Sequence, residues 1–202
     1  AQLMTVGAPL RCDVVAIADA QDAEADPSVR HVIQQNDIED YVRVARHLNE
    51  VGVELVCVQH EFGIFGGDAG DHLLAFLDAL TCPVVITLHT VLEQPNHDQS
   101  RVMAALLRRA ARVVVMAERG KRILIERYHA AAENVAVIAH GAPDHPLIDP
   151  EDIKPRFGMQ GHEVLLTFGL LSPNKGIESV IHALPEVVAV RPKALYVVLG
   201  AT

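Results

Sequence analysis

The chain has 202 residues, half of them apolar, enough to bury roughly 70% of its extended-chain surface in one core or a domain and a half, which excludes a disordered chain. Asp and Glu (26) outnumber Lys and Arg (17) for a net charge of -9, and only 4% of residues are aromatic with no Trp. That balance excludes a clamp on a nucleic-acid backbone and a base-stacking platform, so no nucleic-acid partner is expected. The three cysteines, Cys12, Cys57 and Cys82, form no CxxC pair and lie in or beside apolar runs, where they read as small buried hydrophobes. A reducing, cytoplasmic setting follows, and with no run of 18 apolar residues and no basic leader, neither a membrane span nor a signal peptide is expected.

Short Val- and Ile-rich runs alternate with longer amphipathic stretches, which predicts βα units, a Rossmann-like parallel sheet and helices on both faces. Strands are predicted at Asp13–Ala18, Leu55–Gln59, Val84–Leu88, Arg112–Met116 and Val135–Ala139, and helices over Asp37–Asn49, Asp71–Leu80, Gln99–Ala110 and Glu118–His129. The first helix opens Asp37-Ile38-Glu39-Asp40, acidic where the helix dipole favours it, and stops before Gly52. Ala142–Pro150 has three prolines in nine residues and reads as a linker. The pattern then restarts with a strand at Val164–Phe168, a glycine-bearing turn, a helix over Lys175–Val190 that Pro185 should kink or shorten, and a strand at Ala194–Leu199. Residues 1–150 therefore read as one Rossmann-like domain with a Pro-rich linker at its end, and 151–202 as the opening βαβ unit of a second. The start at Ala1-Gln2-Leu3, beside a strand-like segment, and the stop just past a strand read as a piece of a longer protein.

Ligands of open parallel sheets bind beyond the carboxyl ends of the strands, so the residues that follow each strand carry the chemistry. The second strand runs into Gln59-His60-Glu61-Phe62-Gly63-Ile64-Phe65-Gly66-Gly67-Asp68-Ala69-Gly70, with four glycines in eight residues before a helix. Glycines there permit positive φ and close approach of backbone N–H groups to an anion or to sugar hydroxyls; a tight turn without a ligand is the alternative. His89-Thr90 follows the third strand and His140-Gly141 the fifth, so His60, His89 and His140 are expected to converge on one cleft. Each histidine taken singly is equally well a capping or hydrogen-bonded residue. A metal site would add Glu61, His97 and Asp98, but no HExxH or equivalent spacing is present and no metal is expected. The other histidines, His72 among them, read as solvated, and Arg108, Arg109 and Arg112 as exposed helix residues. In the second domain Phe168-Gly169-Leu170-Leu171-Ser172-Pro173-Asn174-Lys175-Gly176-Ile177-Glu178 sets one ammonium and free backbone amides at a helix start, which suits a phosphate. It lacks the GxxxxGK[ST] of a Walker loop, and an ordinary surface lysine is the alternative.

Together the Gln59–Gly67 segment, Thr87-Leu88-His89-Thr90, Val137-Ile138-Ala139-His140-Gly141 and the Gly169–Glu178 turn resemble the family-four, or group one, retaining glycosyltransferases, closest to the mannosyltransferase-like branch. The resemblance runs in order along almost the whole chain. It implies a GT-B fold of two facing Rossmann-like halves, with an acceptor on the N-terminal half and a nucleotide diphosphate sugar mainly on the C-terminal half. It implies His89 as the catalytic residue near the transferred sugar, and Gly169, Lys175 and Gly176 as the donor diphosphate turn. Lys175 would neutralise the leaving group. His60, Glu61, Gly63, Gly66, Gly67, His140 and Gly141 would line the cleft or contact the acceptor. No cofactor is implied. The family's usual arginine after the first glycine of the diphosphate turn is here Leu170, and the family's first strand with its glycine loop, and the rest of its C-terminal half, lie outside the chain. The function implied is transfer of a hexose, mannose on this branch, to an unknown acceptor (glycan, lipid or small molecule) with retained configuration, by a longer protein of which these 202 residues alone are inactive. The alternatives are a non-catalytic α/β binding or regulatory module and a metal-dependent hydrolase built on the strand-end histidines. Truncated sheet edges would favour self-association.

Overall fold

In the computed structural model, residues 11–18 and 28–201 are described; the strand-like start at Ala1–Leu3 lies outside them. The chain divides into two compact units, Ala1–Gly141 and Ala142–Thr202.

The first unit begins with β1 (Val14–Ala18) and β2 (Val29–Gln34), a parallel pair in which Ala16 lies beside Val32. β2 falls where the sequence pattern predicts no strand. Its Val-Arg-His-Val-Ile-Gln mixes polar residues into the run and buries only Ile33 fully, so it lacks the all-apolar signature of the other strands. Next come α1 (Ile38–Glu50), β3 (Val56–His60), α2 (His72–Ala79), β4 (Val84–Leu88), α3 (His97–Arg109), β5 (Arg112–Val115), α4 (Glu118–Tyr128) and β6 (Val135–Val137). The last four strands form one parallel sheet in chain order, β3-β4-β5-β6.

Local chemistry explains where these elements start. Asp37 caps α1, its carboxylate accepting from the Glu39 N–H at 3.0 Å, and Tyr41, Val44, Ala45 and Leu48 then fall on one buried stripe. α3 begins two residues before its predicted start because Asn96 and Gln99 form a capping box, each side chain accepting from the other's backbone N–H at 2.9 Å. Along β4, Val84, Ile86 and Leu88 point into the core, where they meet Leu73 and Leu77 of α2, Val102, Met103 and Leu106 of α3, and Leu124 of α4.

Two side chains tie α1 and α3 to the end of α2 and the loop that follows it. Asn49, at the end of α1, donates to the Ala79 carbonyl at 2.8 Å and accepts from the Thr81 N–H and hydroxyl, each at 3.0 Å. Arg109 donates to the carbonyls of Leu77, Leu80 and Cys82 at 2.9, 2.9 and 3.1 Å. The expectation of an exposed Arg109 is therefore corrected: it is half-buried and satisfies the orphan carbonyls at the end of α2. The cysteines also depart from expectation, Cys12 and Cys57 being exposed and Cys82 half-buried. On β3 the pleat turns Val58 and His60 inward, so Cys57 and Gln59 must face out.

In the second unit, α5 (Pro150–Ile153) begins at the last proline of the predicted linker, with Asp149 accepting from the Glu151 N–H at 2.9 Å. A proline at the first helical position loses no intrahelical bond, which is why the third proline starts a helix. β7 (Glu163–Phe168) and β8 (Ala194–Leu199) pair in parallel and flank α6 (Ile177–Val190) in sequence. α6 runs through Pro185 without being shortened there.

The contrast between a packed contact and a cap can be measured. Leu106→Ala is expected to lower the unfolding free energy by about 2–5 kcal/mol through loss of contacts and a residual cavity. Asn96→Ala should cost about 1 kcal/mol. Urea unfolding followed by circular dichroism compares the two, and equal losses would contradict Leu106's place in the core.

Candidate functional site

The site grows from the parallel register of β3 and β4. His60 lies beside Leu88, and the His89 N–H extends the ladder by donating to the His60 carbonyl at 3.0 Å. Because side chains alternate along a strand, Leu88 and His60 enter the core while Gln59 and His89 share the outer face. There the Gln59 Oε1 and His89 Nε2 are 2.8 Å apart, a hydrogen bond in which the imidazole N–H donates to the amide oxygen. The His140 ring, beyond β6, lies with its centroid 6.3 Å from that of His89. The three strand-end histidines thus gather at one edge of the first unit, but on opposite faces of the strands.

His60 has no exposed surface. Its ring stacks on Phe65 with centroids 5.9 Å apart and meets Phe62 edge-on at 5.0 Å, and neither ring nitrogen has a hydrogen-bond partner among the described residues. Burial lowers its pKa from 6.5 to about 4, with the Glu61 charge opposing the shift and His89 adding to it. An acceptor contact by this ring, the sequence-based expectation, is not what its burial favours. Glu61 is likewise occupied within the chain: one carboxylate oxygen accepts from the Thr90 hydroxyl at 2.5 Å and the other from the Phe62 N–H at 3.1 Å. It fastens the end of β4 to the glycine loop.

That loop is held by residues that sequence reasoning passed over. The Gln35 side-chain amide donates to the Ile64 carbonyl at 3.0 Å, its backbone carbonyl accepts from the Tyr41 hydroxyl at 3.0 Å, and that hydroxyl accepts from the Gly66 N–H at 3.2 Å. Burial raises the Tyr41 pKa, against the lowering effect of the Gly66 hydrogen bond. A Cβ on Gly66 would overlap the Gln35 carbonyl oxygen and crowd the His72 ring; one on Gly67, at φ +80°, would overlap Asp71 and His72. The close approach these two glycines allow is to the chain itself, the tight-turn alternative. Among the described residues nothing lies within 4 Å of where a Gly63 Cβ would stand. His72, expected in solvent, has a buried Nδ1. Tyr41 was the legible signal: a tyrosine in an apolar helical stripe needs a partner for its hydroxyl.

His140 and Gly141 are both exposed, and among the described residues nothing lies within 4 Å of where a Gly141 Cβ would stand. In the second unit Gly169 has φ +120°, and the Lys175 Nζ lies 3.3 Å from where its Cβ would be. Gly176, at φ +64°, leads into α6. One ammonium therefore lies over a glycine beside a helix start, while Leu170 is 72% exposed. Among the described residues no three His, Cys, Asp or Glu side chains gather as metal ligands would, and no helix is long and apolar enough to cross a membrane.

The chain matches the model of Glycosyltransferase Family 4 over residues 9–144, more than half its length, and it belongs to that family. Among solved structures it resembles Anabaena Alr3699/HepE in complex with UDP and glucose, with TM-score 0.60 and 18% identity over 85% of this chain and 48% of that one. The fold is accordingly that of a GT-B glycosyltransferase N-terminal domain, and the chain spans about half the length of HepE. A second match is the structure of accessory secretory protein 1,2 and 3 in Streptococcus pneumoniae, with TM-score 0.45 and 15% identity over 81% of this chain and 30% of that one. No curated protein matches the chain.

Two outcomes follow. The fold holds His60 neutral, so its contribution to stability is complete above pH 6.5 and is lost as pH falls from 6.5 towards about 4. The stability difference between the protein and its His60→Phe variant should shift across that window by up to about 1.4 kcal/mol per pH unit, and parallel curves would contradict a buried neutral ring. Gly66→Ala should cost about 1–3 kcal/mol by overpacking, whereas Gly63→Ala should stay within about 0.5 kcal/mol, both by thermal unfolding.

Proposed function

We propose that the full-length protein transfers a hexose, mannose by its motif pattern, from a nucleotide diphosphate sugar to an acceptor hydroxyl with retained configuration. The observation that carries the reading is His89, exposed at the carboxyl edge of the sheet with its Nε2 hydrogen-bonded to Gln59, in a member of Glycosyltransferase Family 4. UDP and glucose in the HepE crystal support a sugar-nucleotide donor. A cytoplasmic setting belongs to the same reading, supported by three free cysteines.

In the step proposed, the acceptor oxygen forms a bond to the anomeric carbon on the face from which the diphosphate departs. The carbon–oxygen bond to the diphosphate breaks, the electron pair leaves with the nucleotide, and the acceptor's proton passes to the departing phosphate. Negative charge grows on that phosphate. Lys175 and the first amides of α6 would meet it, an electrostatic contribution that needs no covalent intermediate. His89 lines the sugar's position from the acceptor side, with Gln59 fixing its tautomer. Glu61 and His60 act one layer behind, shaping the strand ends.

A second reading, a non-catalytic binding or regulatory module, draws on the exposed Leu170 where the family carries an arginine. Calorimetric titration separates the two, since a module would give no signal with any sugar nucleotide. The transferase reading predicts transfer or hydrolysis of a sugar nucleotide by the full-length protein without added metal, and none by these 202 residues. Lys175→Ala should lower the rate by about 100-fold or more, as loss of one transition-state donor does elsewhere. Undiminished transfer would remove Lys175 from its role.

A further inference from the structure

Beside His89 the first unit has an open groove of about 360 Å³, between the connection that follows β4 and the start of α4. Its floor is Leu88, Val115 and Ile123, all buried in the core, and Leu92 and Met116 form its sides. His89 stands at its rim.

The walls are fixed independently of any occupant. The Tyr128 hydroxyl, at the far end of α4, donates to the Leu92 carbonyl at 2.9 Å, and the Arg119 guanidinium pairs with Glu93 at 2.9 Å across the mouth. Two bonds from one helix thus tie the connection to α4. The pair also sets the charge of the mouth. Arg119 and Glu93 neutralise each other, so the lining presents mainly apolar surface. The volume lies within the range of small-molecule sites.

We propose that this groove receives the neutral, apolar body of a hydroxyl-bearing acceptor, an alkyl or aryl aglycone, and leaves its hydroxyl end at His89. The proposal rests on the transferase reading and narrows its unknown acceptor to one chemical class. An acceptor that is polar throughout would leave Leu92 and Met116 against its hydroxyls, each of which would lose a hydrogen bond to water.

Two probes share a sugar head and differ only in the apolar body: hexyl β-D-glucoside and methyl β-D-glucoside. Each is titrated into the protein, followed by calorimetry, with no sugar nucleotide present. Hexyl glucoside should bind at least tenfold more tightly than methyl glucoside. Ala117→Phe, which fills the groove from the exposed start of α4, and Leu92→Asp, which puts a charge on its wall, should each abolish that advantage while leaving the unfolding transition cooperative. If one variant fails to fold, the other decides. Equal binding of the two glucosides, or an advantage that survives in a folded variant, would overturn the proposal. Because no donor is present, failure here with transfer intact removes only the apolar acceptor, whereas tight hexyl binding in a full-length protein that transfers nothing removes the transferase reading and leaves the groove standing.

Discussion

The register between β3 and β4 is the constraint on which the site depends. Parallel pairing sets His60 beside Leu88, and one further backbone bond, from the His89 N–H to the His60 carbonyl, carries the ladder past the strand ends. Strand alternation then decides the fate of each polar residue. The even partner, His60, goes into the core without a hydrogen-bond partner among the described residues; the odd partners, Gln59 and His89, emerge together on the outer face. A slip of one residue in either strand would turn that strand's side chains over and put Gln59 and His89 on opposite faces. Burying His60 neutral is a cost the fold carries, and the aromatic rings of Phe62 and Phe65 define the pocket that enforces it.

Around that edge the chain builds rigidity from its own side chains. Gln35 and Tyr41 hold the glycine loop from one side, Asp71 accepts from Arg101 at 2.8 Å, and Glu61 joins the loop to Thr90. The loop's conformation therefore requires no ligand, which is the condition for a preorganised site. Tyr128 and Arg119 do the same for the opposite wall, so His89 stands between two pinned segments.

Much of this was legible in the sequence because it rests on local pattern. The apolar runs at Val84–Leu88 and Arg112–Val115 can be covered only as sheet, and the acidic opening at Asp37 marks a helix start. That His89 and His140 lie close together followed from the rule that strand ends meet at one edge, whereas His60 turns to the opposite face and does not join them. What was hidden depends on parity and on distant partners. Nothing in the run Val56–His60 distinguishes which of Cys57 and Val58 faces the core, so the exposed thiol and the buried imidazole were both misjudged. Gly66 and Gly67 advertise close approach without saying to what, and the answer, Gln35 and His72, lies 31 residues before Gly66 in one case and in the next helix in the other. β2 escaped notice because a strand with a single fully buried residue carries almost no hydrophobic periodicity.

The central proposal is that, in the full-length protein, the outer face of the β3–β4 edge, with His89 fixed by Gln59, is where the transferred sugar meets its acceptor. The most direct measurement is a crystal structure of the full-length protein with a non-hydrolysable sugar nucleotide. The account predicts the sugar ring in contact with His89 and the diphosphate against Lys175 and the start of α6. A sugar bound away from the edge that holds His89, with the diphosphate out of reach of Lys175, would contradict it.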